Sequence, residues 1–181
     1  MKTLLHICCA PCAIYCKESL KETGHEAEGF FYNPNIHPAS EYNMRKESLE
    51  KLSNSVGLKV SYISDLQFED FFRKITFHEK DERCPLCWML RLAKTAEYAS
   101  KNGFRGFSTT LLISPYQDHE RIRSIGETVA KKYSVSFVYK DFRPGFKESH
   151  QASHEMGLYH QKYCGCIYSE RERFDKVSKV S

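Results

Sequence analysis

The chain alternates short runs of apolar and β-branched residues with longer segments in which apolar positions recur at helical spacing. The short runs predict strands, because a strand buried in a sheet reads as a brief, continuous apolar stretch. Their predicted bounds are Thr3–Ile7, Glu28–Tyr32, Lys59–Ile63, Gly106–Thr110 and Val135–Tyr139. The longer segments predict helices at Ala13–Glu22, Glu41–Val56, Phe68–Ile75, Leu86–Lys101, Asp118–Lys132 and Lys147–Met156. Three of these helices are followed by a glycine of the kind that terminates helices, at Gly24, Gly57 and Gly103.

The alternation of strands and helices predicts an α/β fold built from βαβ units, with a parallel sheet covered on both faces. Because crossover connections are right-handed, few arrangements remain, and we predict a doubly wound, mostly parallel five-stranded sheet in the order 3-2-1-4-5. Such sheets bind ligands beyond the carboxyl ends of the strands, where the strand order reverses. That order brings residues 8–12, 108–114 and 141–145 to one rim of the sheet.

Composition and charge limit the function classes. The 181 residues are 41% hydrophobic and 28% charged, which is typical of a globular protein, and we predict one domain over residues 1–181. No apolar run approaches the roughly 20 residues that cross a bilayer, so we expect no membrane partner. A net charge of +4 is compatible with a nucleic-acid partner but too mild to indicate one alone. The N-terminal MKTLLHICC reaches cysteines where a secretory signal would stay apolar, so we expect a cytoplasmic, reducing location.

The cysteines are the unusual feature of this composition. Seven of the eight fall in three tight groups, which are Cys8, Cys9 and Cys12, then Cys84 and Cys87, then Cys164 and Cys166. In a reducing compartment such groups more often bind metal or take part in catalysis than form disulfides. The first two groups stand at predicted helix starts, where the helix dipole stabilises the thiolate that binds metal. Gly165 would let the last pair fold around one centre.

The number of thiols leaves several functions open. Seven exceed the four that one zinc ion or one [4Fe–4S] cluster takes from a protein, which favours a cluster with a second site or with spare redox-active thiols. Cys9 and Cys12 alone are typical of a thiol–disulfide oxidoreductase. A zinc-stabilised RNA-binding module is a further alternative, although the CxxC pairs are spaced too widely for a zinc ribbon. Cys16, one helical turn after Cys12, is predicted to pack in the core.

Five segments carry a resemblance to a known family. They are LLHICCAPC, FYNPNIHP with a following Glu41 and Tyr42, ERCPLCWMLRL, DFRPGFK and GLYHQKYCGCIYS, in this order from Leu4 to Ser169. Together they resemble the epoxyqueuosine reductases of the QueH type. The resemblance implies an adenine-nucleotide alpha-hydrolase-like (PP-loop-like) architecture, which agrees with the fold predicted from the alternation. HICCAPC stands where that superfamily has a Gly/Ser-rich pyrophosphate loop, so ATP binding is not expected.

The resemblance also implies an activity and its cofactors. The family reduces epoxyqueuosine to queuosine at the wobble position of tRNAs with a GUN anticodon. It does so with a [4Fe–4S] cluster and an adjacent mononuclear iron bound by cysteine and aspartate, with an external electron donor and without cobalamin. By this likeness the metal ligands are Cys8, Cys9, Cys12, Cys84, Cys87, Cys164, Cys166 and an aspartate. Cys8, Cys9 and Asp141 are the expected catalytic residues. The expected cofactor-binding residues are Cys9, Cys12, Cys84, Cys87, Cys164 and Cys166.

The aspartate and the RNA contacts are predicted from their places in the chain. Asp141 ends predicted strand five, with a salt bridge to Arg143 or a helix cap as its alternatives, and Asp118 and Asp81 are also typical of caps. The predicted phosphate contacts are Lys140, Arg143, Lys147, Lys162, Arg171 and Arg173. Tyr116, Tyr163 and Tyr168 could stack on an anticodon base. Among the histidines, we expect His6 in the core and His119 and His160 on the surface, where they could donate a proton or contact RNA.

Overall fold

The sheet of the computed structural model, which describes residues 1–63, 68–80 and 82–178, has the predicted strand order. Its strands are β1 (Lys2–His6), β2 (Glu26–Phe31), β3 (Val60–Tyr62), β4 (Gly106–Thr109) and β5 (Ser136–Phe137). They run in the order β3-β2-β1-β4-β5, and every neighbouring pair is parallel. The prediction of a doubly wound sheet is therefore confirmed. Asp81, which was predicted to cap a helix, lies outside the described residues.

Seven α-helices are present in the described part of the chain. They are α1 (Ala10–Glu22), α2 (Ala39–Val56), α3 (Phe68–Ile75), α4 (Arg83–Lys101), α5 (His119–Tyr133), α6 (Phe146–Glu155) and α7 (Ile167–Ser178). Helices α1 and α4 begin one turn earlier than predicted, because Pro11 and Pro85 occupy the first turn, where a missing backbone N–H is tolerated. Helix α7 was not predicted, since its sequence IYSERERFDKVS has no apolar stripe. None of the described helices has the length and apolar character of a bilayer-spanning segment.

The core lies between the sheet and the helices that cover it. Apolar side chains of β1, β2 and β4, including Leu4, Phe30 and Phe107, are fully buried. Helix α4 packs against β1, β4 and α5, whereas α1 packs against β2 and α6. Cys16 is buried in this core, as predicted.

His6 joins the carboxyl ends of three strands at the point where the strand order reverses. Its Nε2–H donates to the Tyr32 carbonyl (3.2 Å), and its Nδ1 accepts from the Thr109 hydroxyl (2.9 Å). Burial lowers the pKa of His6 to about 4, so the ring is neutral near pH 7. The prediction of a core position for His6 is confirmed, and the residues that follow β1 and β4 are fixed side by side.

Candidate metal centre

Cys8, Cys9 and Cys12 form a buried group of three thiols in the connection from β1 to α1. Cys9 is extended (φ −165°, ψ 157°) and the helix begins at the next residue, so the turn returns Cys12 to the two preceding thiols. The three sulfur atoms lie within 4.8 Å of one another, and those of Cys8 and Cys9 are 3.7 Å apart. Sulfurs that bind one tetrahedral ion with bonds of about 2.3 Å are roughly 3.8 Å apart, so the triad fits a single metal ion.

The three thiols of the triad are electrostatically unequal. Hydrogen bonds with Cys12 and Cys9 hold the pKa of Cys8 well below its usual value, and the bond with Cys8 raises the pKa of Cys12. Thr110, at the end of β4, accepts from the Cys8 backbone N–H (3.2 Å) and lies 3.4 Å from its sulfur. Gln161 donates from Nε2 to the Cys9 sulfur (3.0 Å). Cys8 is therefore the thiol that most readily becomes the thiolate a metal binds.

Cys84, Cys87, Cys164 and Cys166 form a second group, which lines a cavity of about 430 Å³. The first two lie in the first turns of α4, and the last two directly precede α7. Cys87 and Cys166 are buried in one small apolar cluster with Phe71, whereas Cys84 and Cys164 are exposed. This quartet supplies the four thiols that a [4Fe–4S] cluster takes from a protein.

The triad and the quartet face adjoining cavities. Cys8 and Cys12 line a cavity of about 450 Å³, and Cys164 lines both this cavity and that of the quartet. The residues shared by the two linings are Arg91, Tyr116, Gln117, Lys162, Tyr163, Cys164 and Arg173. The structure thus brings all seven grouped cysteines to one rim of the sheet, six in the linings and Cys9 buried beside Cys8.

Three helix N-termini point their partial positive charge at these thiols. Helix α1 begins directly after Cys9, α4 begins at Arg83 beside Cys84, and α7 begins directly after Cys166. The Cys166 sulfur accepts a hydrogen bond from the backbone N–H of Ser169 in the first turn of α7 (3.4 Å). A helix N-terminus stabilises an anion and so opposes the burial that raises the pKa of Cys87 and Cys164.

A buried ion pair holds the loop that carries Cys164 and Cys166. Arg45 of α2 donates to the carbonyls of Tyr163 (2.9 Å) and Cys164 (3.0 Å). Its Nε contacts Glu41 Oε1 at 2.7 Å, and both side chains are at most 5% exposed. The Tyr159 hydroxyl donates to the other oxygen of Glu41 (2.5 Å). The position of this loop therefore depends on a charge pair that the cysteine spacing did not reveal.

The structure does not bring Asp141 to the cysteines. Its carboxylate accepts from Arg143 Nε (2.8 Å), Nη2 (2.6 Å) and backbone N–H (3.0 Å), and its side chain is 38% exposed. These hydrogen bonds hold the pKa of Asp141 below its usual value. Neither cavity is lined by Asp141 or by Asp118, which caps α5 through the Arg121 N–H (3.0 Å). Of the roles predicted for Asp141, the structure therefore shows the salt bridge with Arg143. An Asp141–iron bond stays a prediction, and it requires this salt bridge to open.

The predicted RNA contacts divide into two sets. Lys162, Arg173, Tyr116 and Tyr163 line both cavities, and Tyr116 is 85% exposed. The other predicted positions do not line either cavity, and they are Lys140, Arg143, Lys147, Tyr168 and Arg171. Lys140 instead donates to the Ser19 carbonyl (2.6 Å). The entrance to the thiols is thus basic and aromatic.

The predicted location is wrong for one histidine. His119 is buried and lies 3.3 Å from the Ser114 carbonyl through Nε2, so the expected surface position is wrong. It follows the cap of α5, where the turn directs the ring inward. His160 is half-buried, lies 2.9 Å from the Ser153 hydroxyl and stacks on His154. Among the histidines of the described residues, His150 alone lines the cavity of the triad, and sequence reasoning missed it.

Comparison with known proteins gives a consistent match over nearly the whole chain. A family model described as epoxyqueuosine reductase QueH matches residues 3–172. A protein of Dehalococcoides mccartyi with the same name is 39% identical over 175 residues, which are 97% of this chain and 96% of that protein. A protein of Thermotoga maritima, also so named, is 39% identical over 188 residues, covering 98% and 95% of the two chains.

A solved structure shares the fold. The crystal structure of a predicted subunit of tRNA methyltransferase from Methanocaldococcus jannaschii superposes with a TM-score of 0.56 at 12% identity. The match covers 86% of this chain and 76% of that one. At this identity the likeness concerns the fold alone, and it agrees with the PP-loop-like α/β architecture predicted from the sequence.

Proposed function

This chain belongs to the QueH family of epoxyqueuosine reductases, and we propose that it reduces epoxyqueuosine to queuosine at the wobble position of tRNAs with a GUN anticodon, without cobalamin. The observation that carries this proposal is the gathering of seven thiols at two adjoining cavities, beneath a basic and aromatic entrance. Because the substrate is a tRNA, we place the reaction in the cytoplasm. The reaction removes one oxygen as water and therefore needs two electrons, from an external donor, and two protons.

The donor set supports two metal sites with a division of four thiols and three. Cys84, Cys87, Cys164 and Cys166 would hold a [4Fe–4S] cluster, because their number matches its ligand count. The triad would hold the mononuclear iron, because its sulfurs have the spacing of ligands to one ion. When bound, the cluster supplies electrons singly and the iron supplies a Lewis acid for the epoxide oxygen. Asp141 would join the triad only after release from Arg143.

The residues of the entrance would bind and orient the substrate. Lys162 and Arg173 carry positive charge at the opening of both cavities, where they would contact phosphates without reading the sequence. Tyr116 offers an almost fully exposed ring on which an unstacked base could lie. His150 lines the cavity of the triad next to Phe146, and burial lowers the pKa of its imidazole, so the ring is mainly neutral near pH 7.

The proposal is tested by anaerobic reconstitution with iron and sulfide. The wild-type chain should hold about five irons and four sulfides and convert an epoxyqueuosine-containing anticodon stem-loop to queuosine, as read by mass spectrometry. Cys84→Ser should lose the electron paramagnetic resonance (EPR) signal of the reduced cluster, whereas Cys8→Ser should lose about one iron and keep the cluster. Cys16→Ser is the control, because that thiol is buried in the core and lines neither cavity.

Two other results would favour the alternatives. A colourless protein with one zinc ion and no sulfide would indicate a zinc-stabilised RNA-binding module. A colourless protein whose activity depends on a titratable Cys9–Cys12 pair, and survives Cys84→Ser, would indicate a thiol–disulfide oxidoreductase. Either result would refute the iron–sulfur reductase.

A further inference from the structure

Arg91 is a buried cation between the two groups of thiols. It follows Cys87 by four residues on α4, so both side chains lie on the same face of the helix. Arg91 is 1% exposed and lines both cavities. Its Nε makes one long contact with the Cys87 carbonyl (3.5 Å), and its Nη2 has no hydrogen-bond partner within the described residues.

The surroundings of Arg91 differ from those of the other two buried arginines of the site. Arg45 and Arg83 each contact a carboxylate at 2.7 Å, from Glu41 and Glu172 respectively. Arg91 forms no ion pair with a carboxylate in the part of the chain that the structure describes. A buried, unpaired charge is strongly unfavourable, so a side chain in this state indicates an anion that the cavity is built to receive.

The anion is identified by what surrounds the guanidinium. Burial alone would lower the pKa of Arg91, yet the neighbouring thiols Cys87, Cys164 and Cys8 keep it above its usual value. Arg91 also lines both cavities, so thiols of the triad and thiols of the quartet share its surroundings. An RNA phosphate would meet Lys162 and Arg173 at the entrance first, since both of those residues are exposed. The anion that best matches this position is therefore the set of thiolates together with the metal centre that they would hold.

We propose that Arg91 is the built-in counter-charge of the iron–sulfur centre, a positioning residue that holds the thiolates of both groups and makes one-electron reduction of the centre more favourable. The inference rests on the proposed function. Reduction adds an electron to a centre already surrounded by thiolates. A fixed positive charge in a low-dielectric site stabilises the more negative, reduced state more than the oxidised one.

The test compares reconstituted full-length variants by iron content and by midpoint potential, in an EPR-monitored titration with dithionite as the reductant. Arg91→Gln should lower the equilibrium constant for one-electron reduction at least tenfold, which is a shift of about 59 mV to more negative potential. Arg91→Lys keeps the charge and should retain most of the wild-type potential and iron. Arg123→Gln removes the same charge from the exposed face of α5 and should change neither quantity.

If Arg91→Gln binds no iron while Arg91→Lys does, the difference in iron content supports the requirement for a positive charge. The inference is wrong if Arg91→Gln keeps a wild-type potential, including the case in which only its turnover falls. It is also wrong if Arg91→Lys is as impaired as Arg91→Gln in both iron content and potential. The shape of the guanidinium, rather than its charge, would then determine both quantities. A wild-type chain that binds no iron overturns the proposed function and this inference together, whereas a loaded wild type with an unaffected Arg91→Gln overturns this inference alone.

Discussion

Replacing Glu41 by Gln tests whether the charge pair on α2 holds the loop before α7. The substitution keeps the shape of the side chain but removes the charge that faces Arg45, which is 1% exposed. Arg45 would then keep its bonds to the carbonyls of Tyr163 and Cys164 without a compensating anion. The perturbation therefore acts on the fold and on the position of the quartet at once.

The size of the effect follows from the burial of the pair. Two unit charges about 4 Å apart attract by about 4 kcal/mol at an effective dielectric constant near 20. Breaking a buried pair by removal of one partner destabilises proteins by about 3–5 kcal/mol. For a chain of this size, each kcal/mol lowers Tm by about 2–4 °C, so we expect a decrease of about 10 °C.

The assay is denaturant and thermal unfolding of the reduced, metal-free chain, followed by iron content after reconstitution. Glu97→Gln is the matched control, because Glu97 also pairs at i,i+4 spacing, with Lys101 at 2.6 Å, but on the surface. It should change the free energy of unfolding by less than about 1 kcal/mol. Glu41→Leu combined with Arg45→Met should recover most of the stability and not the iron content, since the apolar pair fills the space without anchoring the loop. A Glu41→Gln protein as stable as the control, or a double variant no better than the single one, would refute the reasoning.

Three further predictions concern single side chains. Gly145→Ala should lower the free energy of unfolding by about 1–3 kcal/mol in denaturant titrations, because the new Cβ would lie 2.1 Å from the ring of Tyr15. A variant as stable as the wild type would show that the ring moves aside without strain. Tyr116→Ala should weaken binding of an anticodon stem-loop by about 1–3 kcal/mol in fluorescence anisotropy, with no change in Tm. Tyr116→Phe should bind as tightly as the wild type. Equal affinities of Tyr116→Ala and the wild type would exclude stacking on this ring. Cys16→Ala should keep the full iron content by colorimetric assay while losing about 1 kcal/mol of stability, and a loss of iron would contradict its place in the core.

The strand order could be predicted from the sequence because the central strands β1 and β4 are buried on both faces along almost their whole length. Strands with this degree of burial belong inside a sheet that is covered on both faces, and right-handed crossovers then leave few topologies. The prediction was less accurate at the edge, where β5 is only Ser136–Phe137, since an edge strand pairs on one side. Helix α7 was missed because it buries no apolar stripe, although its first turn accommodates Cys166.

The thiols of the site were visible in the sequence, but most of the residues that support them were not. Cysteines in tight groups are easily recognised in a sequence. Arg45, in contrast, lies far along the chain from the Cys164 carbonyl that it contacts, and Gln161 lies far from the Cys9 sulfur. Arg91 carried one usable signal, its helical spacing from Cys87. The pairing of Asp141 with Arg143 depends on a 3₁₀ turn that folds the arginine back, and the strand pattern alone could not choose between this pair and a metal bond.

The two cavities are lined by segments that lie far apart in the sequence, and this has a consequence for when a metal centre could be inserted. The segment after β1, the start of α4 and the loop before α7 meet only when the sheet is complete, while the hydrophobic interior needs only apolar contacts to form. Under the proposed function, the chain would therefore fold before its metal centres are inserted, and the folded, metal-free protein would be the form that receives iron and sulfide.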